Sequence, residues 1–279
     1  MVYNGYLYTT LANVRFDTRQ EEEIEYHSEK KSFNDSLWTH KPDPSIGYGD
    51  KTTESNLYNV LKKFLNNGKV SLCGAHVFIT VKRYPNESDV FDIISQLRAN
   101  HVMVNIAVDS IPSGGTNSAS LYEMSYQTNG ICAFATGSDL YRTFERLTWI
   151  LIFPYQFLAQ NFLVSGSGRI EIPVFTTPVP PGYDDWCLVE LSIQNHTLDN
   201  SFVLLNYTIA STDGSWAYAL PSQNSSYFFG TARTIQLALK GSLTYKWTVD
   251  YYYNTVEPQI IQLRMYSEYY HDFLPLPDF

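Results

Sequence analysis

Pro173-Val174-Phe175-Thr176-Thr177-Pro178-Val179-Pro180-Pro181-Gly182-Tyr183 divides this sequence into two halves that read in different periods. Four prolines in so short a span favour an extended, semi-rigid spacer. After it, apolar residues recur at alternate positions. Cys187, Val189, Leu191 and Ile193 interleave with Leu188, Glu190, Ser192 and Gln194. Val203, Leu205, Tyr207 and Ile209 do the same, as do Tyr245, Trp247, Val249, Tyr251 and Tyr253. Period two marks strands with a buried face. With further candidates at 216–220, 234–239 and 259–266, six or seven strands in about 90 residues predict a β-sandwich.

Before the prolines, strands alternate with helices. Leu57, Val60, Leu61, Phe64 and Leu65 share one helical face, and their burial contributes roughly 1.5–3 kcal/mol each. Asp50, Thr52 or Thr53 can cap that helix, and Asn66-Asn67-Gly68 stops it. Val77-Phe78-Ile79-Thr80-Val81 reads as a strand buried on both faces. Val90, Ile93, Ile94 and Leu97 mark a helix, 102–108 a strand, Leu121 and Met124 another helix. Ile131-Cys132-Ala133-Phe134 is a third short strand, followed by a helix from about Asp139 past Trp149. This order predicts an open, mostly parallel sheet with helices on both faces. Upstream, residues 6–16 and Glu22 to Tyr26 read as extended segments, and Pro42, Pro44, Gly47 and Gly49 as a loop. The expected organisation is an α/β domain over 1–160, a linker over 161–183 and a β-sandwich domain over 184–279.

A net charge of −9 argues against nucleic acid or an anionic membrane as partner, since both are bound by concentrated Lys and Arg. Lys62-Lys63 and Lys82-Arg83, the densest basic spots, read as solvated positions. The start of the chain lacks a secretory leader. The apolar stretch 147–159 is broken by Pro154 and Gln156 and falls short of the roughly 20 residues of a membrane span. Cys73, Cys132 and Cys187 form no CxxC, so a zinc site is not expected. Cys73 and Cys132 both fall at the N-terminal edge of the parallel strands, where the loop bearing Cys73 can reach across. They are the disulfide candidates, with Cys187 left over. Five N-glycosylation sequons occur, at Asn34, Asn86, Asn195, Asn206 and Asn224. The last three fall on loops or a polar strand face of the second domain, where a glycan leaves the core intact.

The sequence contains no GxSxG, HExxH, GxxxxGK[ST] or GxGxxG. Gly47-Tyr48-Gly49-Asp50-Lys51-Thr52 has the look of a phosphate loop but no apolar strand precedes it, whereas Ser113-Gly114-Gly115-Thr116 follows a strand and precedes a helix, so its amides, with Asp109, form a candidate anion loop. A plain turn is the simpler reading. His76 and His101 open strands at the sheet edge opposite the one where ligands bind. Asp184-Asp185 reads as a solvated loop rather than a calcium site.

The order of the paired strands at 6–26, the helix start Thr52-Thr53-Glu54-Ser55-Asn56-Leu57 and the strands at 77, 102 and 131 resembles a von Willebrand factor A domain lacking its first strand. The resemblance covers residues 1 to about 155 and implies a metal site built from a DxSxS loop, a threonine and an aspartate. The chain begins after the DxSxS position; Thr52 or Thr53 stands at the threonine, and Val81-Lys82 occupies the aspartate's place. The implied site is therefore degenerate, without metal or other cofactor. Leu72-Cys73-Gly74, the segment Lys82-Arg83-Tyr84-Pro85-Asn86-Glu87 and Asn129-Gly130-Ile131-Cys132-Ala133-Phe134 resemble secreted nematode proteins that join an A-like domain to a β-rich region. Some of those are associated with responses to infection.

Together these features lead to the expectation of a non-enzymatic, extracellular recognition or adhesion glycoprotein in innate immunity, with a protein or glycan ligand and no membrane span. The alternatives are a Rossmann-like enzyme or nucleotide binder using Ser113-Gly114-Gly115, and a shortened product without a function of its own.

Overall fold

A computed structural model describes residues 7–220 and 228–278. The chain forms two compact units, Met1–Gly130 with Leu276–Phe279, and Ile131–Pro275.

The first unit opens on an antiparallel pair, β1 (Leu11–Asn13) and β2 (Glu25–His27), packed with α1 (Lys30–Thr39). Of the extended segment expected over 6–16, the described residues form a strand only over Leu11–Asn13, and Asp17, at φ 62°, turns the chain after it. Helix α1 lies where the sequence shows no apolar period: of its residues only Ser36 is buried, while Leu37 and Trp38 face solvent. The amphipathic face of 57–65 is realised in α2 (Leu57–Leu65), which buries Leu57, Tyr58, Val60, Leu61 and Leu65. Its start differs from the expected one. The Asp50 carboxylate gathers the Thr52 and Thr53 amides and hydroxyls into a turn of its own. The helix entry is instead capped from a distance by Asp17, whose Oδ1 accepts from Asn56 N at 2.9 Å and Ser55 Oγ at 2.8 Å.

The unit continues through β3 (His76–Val81), α3 (Phe91–Ala99), β4 (Met103–Asp109) and α4 (Ala119–Gln127). Strands β3 and β4 pair in parallel from His76↔Met103 to Val81↔Val108. Val104, Ile106, Ala107 and Val108 are fully buried, and Ile94, Leu97, Leu121 and Met124 supply the helical side of this core.

The second unit begins with β5 (Cys132–Ala135) and α5 (Ser138–Leu147), so the third strand of the expected series belongs by contact density to the β-rich unit. Eight strands follow: β6 (Tyr155–Val164), β7 (Ser167–Thr176), β8 (Asp184–Ser192), β9 (Phe202–Ser211), β10 (Ala217–Leu220), β11 (Ala232–Lys240), β12 (Thr244–Tyr253) and β13 (Gln259–Ser267). They make two antiparallel sheets of order β11-β8-β13-β6 and β10-β9-β12-β7. Except from β9 to β10, each strand passes to the opposite sheet. This is the eight-stranded jelly-roll form of a sandwich. Trp247, Tyr207, Tyr245 and Val249 from one sheet meet Val189, Leu191, Ile261, Leu263 and Met265 from the other.

The linker expected over 161–183 is corrected by this topology. Strand β7 and the end of β6 occupy most of it, and only 165–166 and 177–183 connect strands. Proline survives in β7 because β7 is an edge strand, and Pro173 falls where its register with β12 slips between Phe175↔Tyr245 and Ile172↔Trp247. The alternate polar positions of β8 and β13 are also buried. Ser192 Oγ donates to Gln262 Oε1 at 2.9 Å, and Arg264 reaches Gln160 O at 2.9 Å and Asn161 Oδ1 at 2.8 Å. Burial raises the Glu190 carboxyl well above the usual range, while its Thr234 bond and the Arg264 charge act the other way.

Candidate functional site

Ligands of open α/β sheets bind at the carboxyl ends of the strands, so those of β3 and β4 come first. Here the chain is closed by its own cation. Arg83, 6% exposed, donates from Nη1 to Thr53 O and from Nη2 to Asp50 O at 2.6 Å. Gly114 leaves room for it: a Cβ there would lie 2.1 Å from Arg83 Nη1. Asp17 is raised by burial, against which its Ser55 and Asn56 bonds and the Arg83 charge act. Asp50 lies far below the usual carboxylate range because Thr53 and Thr52 donate to it. The expectation that Lys82-Arg83 is solvated therefore holds for Lys82 and fails for Arg83. Lys82 is exposed and pairs with the buried Asp109 at 3.0 Å.

The Ser113-Gly114-Gly115 loop is committed to the same closure. Ser113 N–H and Oγ donate to Lys82 O at 2.7 and 2.9 Å, and Thr116 N–H donates to Asn86 Oδ1 at 3.0 Å. Gly115, at φ 70°, presses on the Tyr84 carbonyl, which a Cβ would approach to 1.7 Å. The Ser113 and Thr116 amides, already bonded to the chain, are not open to a phosphate. Thr52 and Thr53 turn their hydroxyls to Asp50. With Arg83 beside them, millimolar Mg²⁺, Mn²⁺ or Ca²⁺ is expected to leave the melting temperature unchanged. A reproducible rise of several degrees in differential scanning fluorimetry would contradict this.

The expected disulfide is not formed. All three cysteines are free: Cys73 is exposed, whereas Cys132 is wholly buried at the start of β5 and Cys187 faces the sandwich core. Burial raises both buried thiols, Cys187 to about 11. Among the sequons, Asn34 and Asn86 are exposed, Asn195 is half-buried after β8, and Asn206 is half-buried on β9. Asn224 lies outside the described residues.

The second unit presents another candidate where β8 begins and β13 ends. Tyr183 and Trp186 are 64% and 54% exposed, unusual for large aromatic side chains. Between them Asp185 accepts from Trp186 N–H at 2.7 Å and from Tyr269 Oη at 2.8 Å. Burial, and then the neighbouring Asp185 carboxyl, raise Glu268, next to Tyr269, above the usual range. Gly241 N–H donates to Tyr183 O at 3.0 Å and fixes the incoming loop. The result is a surface of aromatic rings interleaved with carboxylates. Rings offer apolar faces for stacking and carboxylates accept hydrogen bonds from hydroxyls, a pairing suited to polyhydroxylated ligands. Asp184-Asp185 was legible only as a solvated loop, because Tyr269 and Glu268 lie some eighty residues away in sequence.

A family model described as a domain of unknown function, DUF7154, matches residues 160–268, the stretch from within β6 to the end of β13. No curated protein matches the chain. Solved structures similar to it include the tripod (BppUct-A-L) from the baseplate of bacteriophage Tuc2009, 19% identical, covering 39% of this chain and 88% of that one, with a TM-score of 0.22. Another is a carbohydrate binding module (CBM6cm-2) from Cellvibrio mixtus lichenase 5A in complex with cellotriose. It is 10% identical, covers 42% of this chain and 92% of that one, and has a TM-score of 0.22. At these scores neither likeness bears on what this chain does.

Proposed function

We propose that the chain is a non-enzymatic recognition or adhesion protein whose jelly-roll unit binds a glycan on the surface formed by Tyr183, Trp186 and Tyr269. The observation that carries this reading is Trp186. Its ring is more than half exposed, yet its backbone is pinned by the Asp185 carboxylate, which Tyr269 holds in turn. A large, rigid, exposed ring on a well-tied strand is a preorganised contact rather than a packing residue. The von Willebrand factor A-like reading of the first unit, secretion, glycosylation at the accessible sequons and a part in infection responses complete the proposal. They rest on the sequence resemblance.

The test is binding of the full chain to an array of immobilised oligosaccharides, repeated with Trp186→Ala. Trp186 is a surface residue, so the variant should keep the parent's melting temperature. Affinity is expected to fall at least tenfold, about 1.4 kcal/mol or more. No binding to any saccharide, or equal binding by the variant, would overturn the assignment.

A further inference from the structure

Two stretches of the second unit meet at the surface of Trp186: 177–187, which leads into β8, and 267–275, which leaves β13 beside it at the register pair Cys187↔Ser267. Their charged residues are the carboxylates Asp184, Asp185, Glu268 and Asp272, with no lysine or arginine among them. The cation that β11 brings alongside, Lys240, stands opposite Asp184 in the register, where unlike charges pair across strands. Two of the carboxylates are tied in the same manner. Asp185 accepts from Tyr269 Oη at 2.8 Å and from Trp186 N–H at 2.7 Å, and Asp272 accepts from Tyr270 Oη at 2.6 Å. Tyr270 is itself exposed and packs edge-on against Tyr155, with ring centroids 5.4 Å apart. Each of the exposed rings Trp186 and Tyr270 therefore has a fixed carboxylate close by in the chain.

Those ties set the hydrogen-bonding character of the surface. Both phenols spend their protons on carboxylates, and a carboxylate only accepts. With about four lone-pair sites on each carboxylate, the two bonds to Asp185 and the one to Asp272 leave acceptor capacity for a ligand. A neutral sugar hydroxyl needs donors as well as acceptors, and an anionic sugar would meet like charge. An ammonium group has three donors, no acceptor and a positive charge. Its bonds to carboxylates are roughly twice as strong as neutral ones, and it is drawn to the faces of Trp and Tyr rings as well. We infer that the glycan of this surface carries free amines: a chain of 2-amino sugars whose rings stack on Trp186 and Tyr270 while their ammonium groups bond Asp185 and Asp272. The inference rests on the glycan reading and names the ligand class within it.

Isothermal titration calorimetry of the full chain tests it with oligomers of glucosamine, N-acetylglucosamine and galacturonic acid of equal length, at a pH of about 6, above ordinary carboxylate values. The glucosamine oligomer is expected to bind at least about tenfold more tightly than the N-acetylated one, with the preference shrinking as salt is added. The galacturonic acid oligomer should be the weakest of the three. Asp185→Asn and Asp272→Asn should each bring the first two affinities together; Asp272 is exposed, so its variant keeps the parent's fold. Equal or tighter binding of the N-acetylated oligomer, or a preference unchanged in both variants, would overturn the amine assignment and keep the glycan reading. Binding of none of the three oligomers would overturn both. An oligolysine that displaces the glucosamine oligomer at equal concentration would also overturn the assignment, since charge alone would then account for the binding.

Discussion

Trp247→Ala is expected to cost the jelly-roll unit about 3–5 kcal/mol, which lowers its melting temperature by roughly 10 °C. Trp247 is wholly buried on the central strand β12, between Ile209 of β9 and Ile172 of β7. Its ring lies 5.7 Å from that of Tyr207 at 57°, a tilted aromatic pair. Truncation removes this contact and leaves a void that two sheets, tied by their ladders, cannot fill by collapse. Trp247→Phe separates volume from polarity. Among the described residues the indole Nε1 has no hydrogen-bond partner. Phe therefore loses no bond, only part of the ring, and should cost about 1–2 kcal/mol, well below the Ala value. Equal losses in the two variants would show that the site does not pack as described. Thermal and urea unfolding monitored by near-ultraviolet circular dichroism read the difference directly.

Arg83→Ala is the second large loss, expected at about 3 kcal/mol in the first unit. The guanidinium bridges two loop carbonyls, Thr53 O and Asp50 O, below Gly114. Without it these carbonyls lose their donors, and half-buried Asp17 loses a neighbouring positive charge. Arg83→Lys should recover only part of the loss, because a single ammonium cannot reproduce the planar fork that meets two acceptors. Hydrogen exchange should speed up in the segments around Asp50 and Gly114, with the β12 amides unchanged. A variant as stable as the parent, or one with uniform deprotection across the chain, would remove Arg83 from this role.

These two residues also show which parts of the molecule were legible in the sequence. Trp247 stood out as an inward position because the period of two in 245–253 survives in β12 with its buried positions in place. The apolar face of 57–65 and the runs at 77–81 and 102–108 were equally readable, since burial there comes from side chains near one another in sequence. Arg83 was not. A lone arginine in a loop carries no period, and its burial follows from Gly114, more than thirty residues on. Helix α1 escaped notice for a related reason: Asn13, Glu25 and Ser36 attach it through polar bonds instead of an apolar stripe. Pro173 misled in the other direction. Proline density suggested a spacer, but an edge strand at a register slip accommodates the missing N–H. The candidate site was half visible. Trp186 belongs to a strand whose period was clear, while the exposure of its ring and the pairing of Asp185 with Tyr269 depend on where β13 ends.

Chemical-shift mapping of the full chain, titrated with an oligosaccharide selected on the array, tests the location of the binding surface most directly. Perturbations are expected at Tyr183, Trp186 and Tyr269, falling away along β8 and β13. Perturbations centred instead on Arg83, Gly114 and Gly115, with Trp186 unmoved, would contradict the assignment of recognition to the jelly-roll unit.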